Sequence, residues 1–278
     1  MSAPIPIEVE SGGATLRGER CGEGPVAVLA HGLTATRRYV LHGSRALERA
    51  GYEVVTYDAR GHGESDAAPN GDYGYEALSR DLVAVVARMQ PEVRDPVLLA
   101  GASMGAHTIA RFVLDNPGVA SAVALVTPAY PGVPTPPDSL ERWDELADGL
   151  DRNGVDGFLD VYESREWPAE WREVVMRTTR ERLALHRDLH ALADALRGTP
   201  RSEPFDALGD LGHLDLPVLV VASHDQADPG HQYSVAEAWA DAIPGSKLIS
   251  EDDGQSPLAW QGGRLARVIA GFFDEARG

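Results

Sequence analysis

Short, nearly continuous apolar runs rich in Val, Ile and Leu alternate along this chain with longer stretches whose apolar residues fall at helical spacing. The runs are "VAVLAHG" (26–32), "YEVVTYDARG" (52–61), "PVLLAGAS" (96–103), "SAVALVTPA" (121–129), "LPVLVVASHD" (216–225) and "SKLIS" (246–250). Between them, "TATRRYVLHGSRALERAGY", "YEALSRDLVAVVARMQ" (75–90), "MGAHTIARFVLDN", "SVAEAWADAI" (234–243) and "GRLARVIAGFFDEARG" read as helices. A strand apolar on both sides needs cover on both faces, which predicts a mostly parallel sheet sandwiched by helices. Right-handed crossovers make that an α/β, doubly wound architecture. The opening "IPIEVESGGATLRGERCG" alternates instead and holds a Gly-Gly turn, so it predicts an antiparallel hairpin at one edge.

The alternation lapses between Ala129 and Leu216, where no strand pattern occurs. A proline-rich connection, "YPGVPTPPDS", leads to an expected N-cap at Asp138 or Ser139. Two helical stretches follow, "LERWDELADGLDRNGVDGFLDVY" and "AEWREVVMRTTRERLALHRDLHALADALRG", and Trp143, Trp167 and Trp171 fall within the segment. The expected division is a core of 1–130 and 214–278 with a helical cap of 131–213. Such a cap would lie over the carboxyl ends of the strands, where open α/β sheets bind ligands.

Composition narrows the partners. Against 25 Lys and Arg stand 43 Asp and Glu, a formal net charge of −18. That surface repels phosphate backbones and anionic lipid, so neither nucleic acid nor membrane is an expected partner. The single cysteine, Cys21, leaves no internal disulfide and fits a reducing compartment. "MSAPIPIEVE" has no basic stretch followed by an apolar one, and no apolar run approaches a bilayer span. A cytoplasmic location is expected. Neither an HExxH pattern, a close Cys/His cluster nor a phosphate loop is present, so no metal and no cofactor are expected.

"GASMG", Gly101 to Gly105, ends an apolar strand and opens a helix. That is the setting of a G-x-S-x-G nucleophile elbow, in which flanking glycines let the chain turn sharply under an exposed serine oxygen. "AHGLT" after the first long strand brings a second loop to the same end, where the backbone N–H groups of Leu33 and Met104 can face one developing oxyanion. His31 in that loop is read as a shaping residue and not as a base. "YDARGHGESD" (57–66) is a glycine-rich loop after the next strand.

In order and spacing, "AHGLT", "YDARGHGES", "GASMG" and "LPVLVVASHDQADP" resemble the α/β-hydrolase superfamily, and the resemblance runs through the whole chain. It implies the α/β-hydrolase fold with a helical cap, and a catalytic order of Ser, then Asp or Glu, then His. By this resemblance Ser103 is the nucleophile. The acid falls in the loop after "VLVVASH", with Asp228 preferred over Asp225. The base belongs in a Gly-His turn after the last strand, yet the chain reads "DDGQSPL" there, placing Gln255 in the slot, and no histidine follows His231. Glutamine forms hydrogen bonds but has no useful pKa for taking a proton from serine. Among the other histidines near that end, His107, His224 and His62, His231 is the best substitute because the acid loop borders the site. The resemblance therefore implies an enzyme acting on a small-molecule or peptide-like carbonyl substrate, by default a serine ester or amide hydrolase. The alternatives are a non-hydrolytic step, such as epimerisation or cyclisation, and a binding protein with a dead triad.

Overall fold

A computed structural model of the chain describes residues 3–89, 96–163, 169–224, 228–251, 260 and 263–278. Strands β1 (Ile5–Ser11) and β2 (Ala14–Cys21) pair antiparallel across Gly12 and Gly13, both at positive φ. β2 runs antiparallel to β4 (Glu53–Tyr57). Beyond it, β4, β3 (Val26–Ala30), β5 (Val97–Ala102), β6 (Ala120–Val126), β7 (Val218–Val221) and β8 (Lys247–Ile249) are all parallel. The eight-stranded order is β1-β2-β4-β3-β5-β6-β7-β8.

Neighbouring strand residues point to opposite faces, and both faces are covered. Val28, Val55 and Leu99 join Leu82, Ile109 and Trp239 in one cluster, under α2 (Tyr75–Met89), α3 (Met104–Asp115) and α7 (Tyr233–Ala242). Leu29, Val54 and Leu98 join Leu47 and Phe273 in the other, under α1 (Ala46–Arg49) and α8 (Arg264–Arg277). Each such side chain, fully buried, contributes roughly 1.5–3 kcal/mol, which explains why the strands are apolar on both sides. β4 and β5 lie on either side of β3, so the direction of winding reverses between β3 and β5. Loops leaving those two strands diverge to opposite faces and leave a crevice between them.

The helix expected over "TATRRYVLHGSRALERAGY" is reduced to a 3₁₀ turn, Arg37–Tyr39, and the four-residue α1. His42 and Gly43 between them take φ of 51° and 68°, which no right-handed helix accommodates. Between β6 and β7 the described residues hold helices and no strand. Helix α4 (Pro137–Glu163) starts at Pro137, ahead of the expected cap at Asp138 or Ser139, because proline fits a helix's first turn, and Ser139 and Leu140 donate to the Pro136 carbonyl. It is a hairpin of two arms that turns at Asn153 and Gly154 (φ 59°). The arms cross at Gly149 and Gly157, where a Cβ on either would lie within 2.4 Å of the other's carbonyl oxygen. The second expected helix is split into α5 (Ala169–Leu183) and α6 (Leu189–Gly198), because the Asp188 carboxylate accepts from the Ala191 N–H at 3.0 Å and caps a new helix. Leu146, Leu150, Phe158, Leu183, Leu192 and Leu196 give these helices a small core of their own.

Candidate active site

The site is built where β5 becomes α3. Ser103 has φ 52° and ψ −115°, a backbone strained for any residue but glycine. The turn is fixed from both sides, since the Ser103 N–H donates to the Val126 carbonyl at 2.9 Å and His107 N–H to the Ser103 carbonyl at 3.0 Å. Its flanking glycines are sterically obligatory. A Cβ on Gly101 would lie 2.5 Å from the Gly105 carbonyl, and one on Gly105 would lie 2.2 Å from the Ala30 carbonyl oxygen. The half-buried Ser103 side chain caps nothing, which leaves its hydroxyl for other work. Met104 opens α3 and so carries one of the N–H groups that has no partner within the helix.

Because β3 pairs with β5, Ala30 opposite Gly101, the loop after β3 meets the elbow. An added Cβ on Gly32 would sit 3.5 Å from the Ser103 Cβ. Next to it, Leu33 packs against the cluster of Ala59, Tyr75, Leu78 and Met104 and against the core of the α4–α6 helices. The Leu33 carbonyl is engaged by His62 Nε2 at 2.6 Å, whereas its N–H makes no hydrogen bond among the described residues.

His31 shapes this loop: its Nδ1–H donates to the Gly32 carbonyl at 2.8 Å and its Nε2 accepts from the Ala59 N–H at 2.9 Å. Burial pushes its pKa down to about 3, which keeps the ring neutral. His62 lies between the Leu33 and Arg60 carbonyls, and burial lowers its pKa as well. The loop after β4 is held by Asp58, which accepts from the N–H groups of Arg37 (2.8 Å) and Glu64 (3.0 Å) and pairs with the Arg37 guanidinium. The helical segment docks on it, through the Arg187 N–H to the Gly63 carbonyl at 2.9 Å and the His186 ring 5.7 Å from that of His62.

His107, one turn past Ser103, is spoken for. Its Nε2 accepts from the N–H of Ala129 (2.9 Å) and Tyr130 (3.2 Å), and its Nδ1 lies 2.8 Å from the Tyr75 hydroxyl. Burial holds its pKa near 3.

After β7, Asp228 Oδ2 stands 2.7 Å from His231 Nδ1, and the His231 N–H donates to the Asp228 carbonyl at 3.1 Å. His224 stacks on Tyr233, ring centroids 4.1 Å apart. Asp225 and Gln255 lie outside the described residues. A residue that sequence reasoning missed is Glu251, which follows β8, is 2% exposed and gathers donors from the loop after β7. The first residue of the acidic run Glu251-Asp252-Asp253 carries no signal of burial in the sequence. Among the described residues no His, Cys, Asp or Glu side chains are grouped to hold a metal, and no helix is long and apolar enough to cross a membrane.

The architecture agrees with what the chain is similar to. A family model described as serine aminopeptidase, S33 (Hydrolase_4) matches residues 24–227. RutD of Agrobacterium fabrum, a candidate carbamate hydrolase, is 28% identical over 245 residues, 86% of this chain and 88% of that protein. A carboxylesterase of Nitrososphaera gargenis superposes with a TM-score of 0.80 at 15% identity, covering 98% of this chain and 99% of the other. The esterase EaEST of Exiguobacterium antarcticum gives 0.75 at 20% identity, covering 99% and 100%. At those identities the two structures speak for the fold alone. The family model spans well over half of the sequence, and the chain belongs to the serine aminopeptidase S33 family of α/β hydrolases.

Proposed function

We propose that the protein hydrolyses an ester or amide bond of a small or medium carbonyl compound, with Ser103 as nucleophile. The observation that carries this reading is the Ser103 elbow itself: a strained serine at a helix start, with Gly32 close enough for its loop to lie against the serine. The serine oxygen attacks the carbonyl carbon, and the negative charge that develops on the carbonyl oxygen is met by the N–H groups of Leu33 and Met104. Collapse of that adduct expels the alcohol or amine, and water then releases the acid from the acyl-serine. The relative named for carbamate hydrolysis supports this reaction class. Residues 131–213 form the cap over the substrate, and their contacts with Leu33, His62 and Gly63 support that role.

Asp228 is the acid of this site, and Gln255 fills the slot of the family's histidine. Without an imidazole there, Ser103 is a weakly activated hydroxyl and turnover is slow. One observation favours a second version, in which His231 is the base: Asp228 holds its Nδ1 at 2.7 Å, the way a triad acid orients an imidazole. Hydrolysis of p-nitrophenyl esters by the wild type and by Ser103→Ala tests the reaction. Turnover confined to the wild type is expected, and equal turnover in Ser103→Ala would remove Ser103 from the chemistry.

A further inference from the structure

The Glu251 carboxylate is buried, and among the described residues no Lys or Arg pairs with it. A buried carboxylate without a cation is costly unless hydrogen bonds replace its lost water. Three uncharged donors do so here. Oε1 accepts from the Ser223 hydroxyl at 2.5 Å and the His224 N–H at 2.9 Å, and Oε2 accepts from the Trp260 indole N–H at 3.1 Å. Both oxygens are used as acceptors, which glutamine cannot reproduce because one of its two terminal atoms is a donor.

The three donors belong to the ends of two chain segments. Ser223 and His224 open the loop that carries Asp228, and Glu251 and Trp260 flank residues 252–259, which carry Gln255. Trp260 reinforces the joint by also reaching the Ala222 carbonyl at 3.2 Å, and it packs on the same core face as Ala102, the residue before Ser103. We infer that Glu251 is a positioning residue, a carboxylate clamp that ties the start of the loop after β7 to the end of β8 and to Trp260, and through the core face that Trp260 shares with Ala102 to the elbow. The inference rests on the hydrolytic reading of Ser103 for its kinetic consequence, but not for the clamp.

The test compares Glu251→Gln, Glu251→Ala, Ser223→Ala and Trp260→Phe with the wild type. The readouts are ester turnover, fluorophosphonate labelling of Ser103, and hydrogen exchange of peptides covering 218–233 and 260–270. Displacing a reacting group by about 1 Å costs on the order of 100-fold, so Glu251→Ala is expected to lower kcat and labelling by roughly 10- to 100-fold with KM changed by no more than about threefold. Glu251→Gln and Trp260→Phe, each losing the indole contact, should fall between. Adding Trp260→Phe to Glu251→Ala should cost little more, since both act through one joint. Exchange should rise in the two segments together and stay unchanged in β1–β6.

Unchanged exchange in those segments would overturn the clamp. Raised exchange with unaltered kcat and labelling would reduce Glu251 to a structural residue. If Glu251→Ala does not fold, Ser223→Ala and Trp260→Phe are judged by the same outcomes. Wild-type turnover retained in Ser103→Ala would instead overturn the hydrolytic reading, and exchange alone would then decide the clamp.

Discussion

Asp228 and His231, one turn apart between β7 and α7, meet through Oδ2 and Nδ1 at 2.7 Å. A carboxylate in this position orients the imidazole it holds and fixes which ring nitrogen carries the proton. The pair therefore makes the identity of the base a question that two substitutions separate. With Gln255 in the base slot, wild-type Ser103 reacts slowly with fluorophosphonates, Gln255→His speeds labelling by on the order of 100-fold or more, and His231→Ala leaves the rate unchanged. Fast wild-type labelling that vanishes in His231→Ala and survives Gln255→Ala would assign the base to His231.

Strain at the elbow gives a second prediction. Ser103 sits at φ 52°, where an L residue costs about 1–3 kcal/mol and glycine costs nothing. Ser103→Gly and Ser103→Ala both remove the hydroxyl, so they differ in the Cβ methyl and the backbone freedom it restricts. Ser103→Gly should be the more stable by about 1 kcal/mol, read from urea unfolding midpoints, the strain relieved being partly offset by glycine's larger unfolded-state entropy.

Gly105 should tolerate no side chain. A Cβ there would meet the Ala30 carbonyl oxygen at 2.2 Å and that of His31 at 2.9 Å, both main-chain atoms that cannot swing aside. Gly105→Ala is expected to cost about 3 kcal/mol and to displace α3 from β3. Thermal melting gives the first quantity and Ser103 labelling reports the second. A variant as stable and as reactive as the wild type would show that the elbow relaxes easily.

Acid should destabilise the protein before its carboxylates titrate. Burial holds the pKa values of His31, His107 and His186 near 3, against about 6.5 in an unfolded chain. Between those values the unfolded state binds more protons, so stability is complete above about pH 6.5 and is lost as the pH falls toward 3. Each such histidine contributes a slope of up to about 1.4 kcal/mol per pH unit in that window. The Tm should therefore drop between pH 6.5 and 5, and His186→Gln should flatten the drop. The carboxylates held low, such as Asp66 at about 2 beside Arg17, act with the same sign but only at lower pH. A flat Tm from pH 7 to 5 would refute the prediction.

The strands, the amino-terminal hairpin and the elbow were legible because each depends on a local pattern. An apolar run such as "PVLLAGAS" has only one stable setting in a soluble protein, between two helical layers, and β5 occupies it with both faces covered. Gly-x-Ser-x-Gly at the end of that run is equally local, and it placed Ser103 where the backbone turns at positive φ.

Other features depend on partners far apart in sequence. The hairpin inside α4 needed Gly149 and Gly157 to find each other across a turn, while the surrounding periodicity reads as one helix. The stretch before α1 has helical spacing that loses to the positive φ of His42 and Gly43. His62 and His107 read alike as possible bases, and only their carbonyl and amide partners, 2.6 to 3.2 Å away, fix them as loop-shaping groups. Glu251 left no mark in the sequence at all, since burial with three donors is a property of β7, β8 and α8 packed together. The sequence by itself determined the sheet, its cover and the serine, because hydrophobic burial and steric turns act over a few residues. Tertiary structure alone decided which polar groups meet, because a hydrogen bond forms at about 3 Å whatever the distance along the chain.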